Sequence, residues 1–433
     1  MEIAVVGGGL TGMTAAQDLA RAGARVTLYE REETLGGLAG SFMVNGTRLE
    51  KFYHHIFTSD VAVRDLIVDL GLGDRLEWKP TTTSYYAERI YRLATPLDVL
   101  RFRPLSLVDR FRFGMLVFQS RLVRDWRNLE GLTAREWLVG LSGRRVYEQA
   151  WAPLLRGKFG SKADEVSAVW IWNKVMLRGG SRGKAGQEVL GYLRGGFGLM
   201  VEALEQRLRD LGVEIAKGAP VTEIRPGANG GLLVRTPESD EGYDEVVVTT
   251  APALLADMAP SLPDAYRERL RSIEYMANVC CVLRLSQSLS SVYWLNISDN
   301  TVPFVGLVEH TNMQPPSEYG GSHLVYLTRY CSPDDAYYNM SREELVAAYV
   351  PHIKRLFPHF QPDWIEDSYV WRERYAQPVI ARHYSQLRPD YPTPIAGLWL
   401  ASMAQIYPED RGMNYAVQYG HSIAERMLAS RGG

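Results

Sequence analysis

Lysine is scarce. Only 8 of the 48 basic side chains are Lys and 40 are Arg, so the positive charge is carried almost wholly by guanidinium groups. Charge of one sign is also lacking: Asp and Glu number 50, the formal net charge is −2, and no global positive field speaks for a nucleic acid. Three cysteines, Cys280, Cys281 and Cys331, are too few and too oddly placed for a disulfide framework and read as buried thiols. No apolar run approaches the roughly 18 residues that a spanning helix needs. A strand-like run already begins at Ile3, which leaves no room for a secretory leader, so the expected location is the cytoplasm. Neither H-x-E-x-H nor C-x-x-C spacing occurs, and no metal site is expected. What is present, 46% hydrophobic and 23% charged residues in 433, is ordinary for a globular chain of two or three units.

Residues 2–6 (EIAVV) read as a buried strand, followed by GGGLTGMTAAQDLARAG. Gly7, Gly9 and Gly12 fit G-x-G-x-x-G between that strand and a helical pattern, and a second strand, RVTLY at 25–29, ends at Glu30. This is the strand–helix–strand context that the motif requires in a dinucleotide site. Gly7 permits the tight turn, Gly9 lets a pyrophosphate approach the backbone, and Gly12 lets helix and strand pack closely. The helix starts at Leu10 and Thr11, and its free N–H groups and positive dipole end favour phosphate. Glu30, followed by Arg31, can accept hydrogen bonds from the ribose hydroxyls. The fingerprint alone does not separate NAD from FAD. Gly36, Gly37 and Gly40 then thin the backbone again, as passage beside a longer ligand requires, and this favours FAD.

The run GGGLTGMTAA…VTLYEREETLGG resembles the start of the flavin amine oxidase superfamily. That group includes monoamine oxidases, protoporphyrinogen oxidases, phytoene-type desaturases and, more distantly, UDP-galactopyranose mutases. Residues 192–226 are similar to the family segment that leads from a helix to an adenine-contacting strand, which implies Val221 at the adenine. Residues 243–252 resemble the next Rossmann strand with its Ala-Pro exit at Ala251. Residues 397–428 resemble the C-terminal flavin motif, a strand and then a helix whose start faces the ring, which implies Met413 and Asn414 there. The resemblance implies an α/β protein: a Rossmann-type FAD-binding domain with an interleaved α+β substrate domain (antiparallel sheet plus helical insertion). It also implies FAD held non-covalently, since neither the C-terminal cysteine nor the N-terminal histidine of covalent members has a match. One departure stands out. Many members carry Arg directly after the Gly-Gly doublet, and here the residue is Leu38.

On this reading the FAD-binding domain is discontinuous (1–59, 190–260 and 390–433), and the substrate-binding domain takes 60–189 and 261–389. The first insertion reads as mainly helical, with one amphipathic helix over 62–76 and further stripes at 135–141 and 145–160. The second opens with strands at 277–286, 292–298, 303–311 and 322–330. A helix follows at 341–357, with Ser341 and Glu344 as a capping box.

Residues 89–127 hold nine Arg, no Lys and three Asp, interleaved with Phe102, Phe111, Phe113, Phe118 and Trp126. Such a segment can lie on an anionic membrane surface, or gate entry of a lipid-soluble or diphosphate-bearing substrate. It can equally be a solvated helical face with its aromatics packed inward. The sharpest candidate for chemistry is EKFYHHIFTSD at 50–60. A neutral imidazole at His54 or His55 can donate to a flavin or handle a proton; both can also be turn-capping structural residues. The His-His-Ile-Phe run also looks like the active-site histidine segment of the galactopyranose mutases. Tyr375 falls where relatives place cavity-roof residues. Trp151, Trp170 and Trp172 read as core, Lys174 and Arg178 as surface salt-bridge partners, and Arg411 as a partner of Asp410.

Three functions stay open. The first is an FAD-dependent oxidoreductase that removes hydride from a C–H or C–N bond of a small hydrophobic substrate. The second is a redox-neutral, mutase-like enzyme on a nucleotide sugar. The third is a flavin-binding protein without catalysis, against which the intact cofactor motifs weigh most.

Overall fold

A computed structural model describes residues 1–93, 96–180, 188–228 and 230–430, less the side chains at 96 and 177–180. The apolar run after Met1 forms the strand Glu2–Val6, with Ile3 to Val6 buried. A run that is apolar on both faces suits a parallel sheet covered on both sides, and this strand lies in the middle of one. The order is Glu214–Ala216, Arg25–Tyr29, Glu2–Val6, Glu245–Val248 and Leu398–Leu400, all parallel. Ile3 and Val5 pack with side chains of the helices Leu10–Arg21, Gly198–Asp210 and Met413–Ala429. Ala4 and Val6 face the other way, toward the meander Glu223–Pro226, Leu232–Arg235 and Asp240–Tyr243 and the helix Pro252–Met258.

The first and last helices pack on each other. A Cβ on Gly420 would come within 2.7 Å of the Thr11 carbonyl oxygen, so glycine there lets the two backbones approach. This contact holds the N-terminal turn and the C-terminal helix in one body.

A seven-stranded sheet forms the second region, in the order Ile365–Pro378, Tyr275–Leu285, His323–Cys331, Gly306–Glu309, Trp294–Ile297, Thr83–Ala87 and Arg89–Arg92. All its pairings are antiparallel except that of Trp294–Ile297 with Thr83–Ala87. Its longest fully paired strand, Tyr275–Leu285, lies second from one edge and is apolar on both faces because both are covered. Cys280 and Val282 face the nucleotide-binding region, whereas Val279, Cys281 and Leu283 face the helix Arg342–Leu356. That helix starts at the expected box: Ser341 Oγ accepts from the Glu344 N–H, and Glu344 accepts from the Ser341 N–H.

The first insertion departs from the mainly helical reading. The helix expected over 62–76 is Val61–Asp69 and stops before Gly71, whose φ of +76° favours glycine. The residues beyond one short turn alternate and become the strand Leu76–Thr81. Two more strands follow before the helices begin at Pro96. The strand Glu188–Leu193 pairs with both Ile56–Phe57 and Leu76–Thr81, so a small sheet spans the expected 59/60 and 189/190 boundaries.

Candidate active site

Two glycine turns meet beneath the first helix. The Gly36 N–H donates to the Gly8 carbonyl (2.8 Å), and Gly9 and Gly36 form an isolated parallel bridge. A Cβ on Gly12 would collide with the Gly7 carbonyl oxygen, so the chain itself demands glycine there. Gly9 differs. Its φ of −73° suits any residue, and a Cβ would meet no protein atom within 4 Å. Nothing in the chain requires glycine at 9; the open space beside it fits a ligand that must approach the backbone. Gly9 also precedes Leu10 and Thr11 without a capping side chain, leaving the first-turn N–H groups for an anion. The Glu30 carboxylate is fixed by the N–H groups of Gly8 (2.7 Å) and Glu32 (3.0 Å), and both oxygens keep lone pairs for a ribose hydroxyl. These features fit the adenosine and pyrophosphate parts of a dinucleotide.

The other expected cradle residues are placed unevenly. Ala251 caps the helix Pro252–Met258, two residues after Thr249, whose hydroxyl donates to the Gly7 carbonyl (3.1 Å). Val221 lies between strands rather than on one, partly buried in the cluster that contains Tyr29. Arg31 is exposed and pairs with Glu32 (3.2 Å).

The start of the last helix opens on a cavity of about 360 Å³. Gly412, Met413, Asn414 and Leu38 all line it, so the residue after the Gly36-Gly37 doublet and the C-terminal helix border the same cavity. Phe52, Tyr53, Trp151, Leu154, Trp170 and Trp294 line the same cavity. The Asn414 amide oxygen is already used. It accepts from the Ala62 N–H (2.8 Å) and ties the last helix to Val61–Asp69, which leaves only its NH2 for a ligand.

His54 and His55 both line this cavity. Burial, aided by the charge of Arg411, lowers the His54 pKa to about 4 against a hydrogen bond to backbone, so the ring is neutral at pH 7. Its Nδ1 lies 2.7 Å from the Phe52 carbonyl and must carry the proton to make that bond. Nε2 is therefore an acceptor, and the expected donation to a flavin is replaced by a site that can take up a proton. His55 Nδ1 lies 3.3 Å from the Tyr293 hydroxyl.

The electrostatic centre is Asp410, 5% exposed. It accepts from the indole N–H of Trp170 (3.1 Å) and the amide of Gln377 (3.2 Å), and it pairs with Lys174 and with Lys158 (3.8 Å). Burial pushes its pKa up, but Lys174, Lys158 and Arg411 overcome this and hold the carboxyl far below the ordinary range. Arg411 donates to the Gln377 side-chain oxygen (2.8 Å) and to the Tyr330 hydroxyl (2.7 Å). Lys174 is thus a cavity residue rather than a surface salt-bridge partner; Trp170 is buried in the core as expected and also lines the cavity with Trp151, and Trp172 packs partly buried against the same core. The Arg178 side chain lies outside the described residues. The missed members had one faint signal: Leu154 with Lys158, and Trp170 with Lys174, each four apart on one helix face.

Tyr375 is corrected by the structure. A register shift between Met276 and Asn278 inserts extra residues into Ile365–Pro378. Ala376 then reaches the cavity, and Tyr375 lines a separate cleft, its ring edge-on to Tyr275 (5.4 Å). The three cysteines are buried and none lines the cavity. Among the described residues no group of three His, Cys, Asp or Glu side chains is placed to hold a metal.

Residues 10–428 match the family described as flavin containing amine oxidoreductase. The chain is 21% identical to the 15-cis-phytoene desaturase of Synechococcus elongatus over 99% of its own length and 96% of that protein. Several other curated relatives are matched over only 60–61% of their length. A putative protoporphyrinogen oxidase from Exiguobacterium sp. superposes with a TM-score of 0.79 at 18% identity, covering 99% of both chains. A reduced UDP-galactopyranose mutase superposes with 0.77 at 16% identity, covering 99% of this chain and 95% of that one. At such identities the superpositions establish the α/β fold alone. The family match, extending from the start of the first helix into the last, makes this chain a member of the flavin containing amine oxidoreductases, an FAD-dependent oxidoreductase.

Proposed function

We propose that this enzyme removes hydride from a C–H or C–N bond of a small hydrophobic substrate held in the 360 Å³ cavity. The observation that carries the reading is the cavity wall. Aromatic and aliphatic side chains line it together with Leu38 and Gly412–Asn414, beside which we assign the flavin ring. Bound FAD supplies the two-electron acceptor. The chain's own part is to hold the reacting carbon against that ring, to keep water out with Trp151, Trp170 and Trp294, and to offer His54 Nε2 as a proton acceptor. Lys158, Lys174 and Arg411 surround the ionised Asp410, and Asp60 and Glu188 line the same cavity, so the side chains roughly balance; the free N–H groups at the start of the last helix are what favour negative charge developing there. The desaturase and oxidase names among the relatives support oxidation at carbon. We assign the surface of 89–127 to membrane contact.

The mutase-like alternative is favoured by one observation: His54 and His55 line the cavity, as it requires. It is weakened by the arginines. None from 89–127 lines the cavity, and the Arg411 guanidinium is engaged with Gln377 and Tyr330. Anaerobic titration with apolar candidate substrates tests the choice. Bleaching of the flavin band at about 450 nm supports the oxidoreductase. Turnover of a UDP-sugar only after dithionite reduction, with no bleaching by any apolar compound, replaces it by the mutase.

A further inference from the structure

Amphipathic helices ordinarily hide their apolar stripe. The helix Leu107–Ser120 buries only Leu116 among its apolar side chains, with Asp109 and Ser120, and leaves an apolar stripe in the open. Leu107, Phe111 and Phe118, four and seven residues apart, fall on one face of it, Leu122 follows just past its end, and all four are 57–75% exposed. Val108 beside them and Leu97 and Leu100 of Pro96–Arg101 extend the patch. Of the fourteen large apolar side chains exposed among the described residues, eight lie between Ile90 and Leu122. The inward aromatics of the same segment are accounted for separately: Phe102 packs on Tyr85 and Tyr91, Phe113 on Trp151, and Trp126 on Tyr407.

The rim of the patch is cationic. The three Asp of this segment are taken by Arg92, Arg112, Arg145 and Arg127. Arg101, Arg103, Arg121 and Arg124 are exposed and form no ion pair among the described residues. We infer that this face docks on an anionic lipid bilayer, Leu and Phe entering the acyl boundary and the arginines meeting headgroup phosphates. Charge complementarity selects that occupant. A two-fold dimer would bring the patch against its own copy and set arginine rim against arginine rim. The docked face also lies close to the cavity: Phe113, on the inner side of the helix, touches Trp151 edge-on (5.8 Å), and Trp151 lines the cavity wall. Delivery of a substrate from the membrane rests on the hydrophobic-substrate reading; the docking itself does not.

Flotation of the FAD-loaded protein with vesicles of phosphatidylcholine alone, or mixed with phosphatidylglycerol, tests the inference. The protein is expected to float with the anionic vesicles and stay behind with the neutral ones. Leu107→Asp with Phe111→Asp should cut partition by about tenfold or more. Arg121→Gln with Arg124→Gln, or high salt, should cut it by about fivefold. Flavin absorbance and melting temperature should match wild type throughout, and Val68→Asp, which removes an exposed apolar residue elsewhere, should float normally. Wild-type protein that ignores anionic vesicles at low salt overturns the inference. So does an Asp double variant that floats like wild type, or a homodimer that the same double variant splits while vesicles are not bound. Flotation without any apolar compound bleaching the flavin leaves docking standing and removes only the substrate reading; bleaching without flotation does the reverse.

Discussion

From Gly7 to Gly40 the cofactor cradle is local, with two glycine turns touching through Gly8, Gly9 and Gly36. The cavity at the other end draws His54, Lys158, Lys174, Tyr330 and Asp410 from separated stretches and joins them only when both regions are folded. The two are therefore fragile in different ways. In the cradle what matters is the absence of a side chain, a steric condition that one residue satisfies alone. In the cavity it is a balance of buried charge, which no residue satisfies without its partners.

The largest expected effect divides the cradle against itself. Gly12→Val drives a side chain into the Gly7 carbonyl and the Thr249 hydroxyl, and should cost more than about 3 kcal/mol, seen as loss of soluble folded protein. Gly9→Val meets no protein atom, so it should fold and yet purify without flavin. A yellow Gly9→Val protein would break the assignment of that open space to the pyrophosphate. In the cavity, Asp410→Asn leaves three cations facing one another. Because Lys158 and Lys174 keep side-chain exposures of 20% and 32%, the loss should be about 2–3 kcal/mol rather than that of a sealed pair. Urea midpoints measure it, and adding Lys174→Met should recover part.

His54 gives a pH test of similar size. Its folded pKa, about 4, lies below the ordinary 6.5, so the native state binds that proton less readily than the unfolded chain. The contribution is complete above pH 6.5 and is lost as pH falls toward 4, by up to about 3 kcal/mol. The stability gap between wild type and His54→Gln should shrink over that window; a constant gap would mean the ring is not held neutral by burial. Smaller again, Glu30→Ala should weaken FAD binding by about tenfold and more than His54→Ala does, and equal losses count against the ribose contact. Least of all, Tyr375→Phe should change the rate of flavin reduction by less than about twofold, since its ring faces Tyr275 in the other cleft.

The cradle was readable because its physics is sequential. Turn, helix start and terminal acid follow within 30 residues, and each uses a residue type with few other purposes. The capping box at Ser341 and Glu344 was readable for the same reason. The cavity was readable only in part. His54 and His55 announced themselves as a pair, and Met413 and Asn414 came through family likeness. Lys158, Gln377 and Tyr330 gave no warning, because a lysine that pairs with an aspartate some 250 residues away looks like any surface lysine. Tyr375 misled because face alternation was carried through a bulge that no sequence pattern marks. Likewise the alternation in 76–92 is masked by the stronger helical stripes after it.

The seating of the last helix on the first at Gly420 carries a consequence for biosynthesis. A ribosome releases the glycine turns early, but their sheet lacks the strand Leu398–Leu400, and their helix lacks its cover, until nearly all of these residues have been translated. The nucleotide-binding region therefore cannot close until Leu398–Leu400 and Met413–Ala429 have followed the glycine turns out of the ribosome, and full retention of FAD is expected only after that.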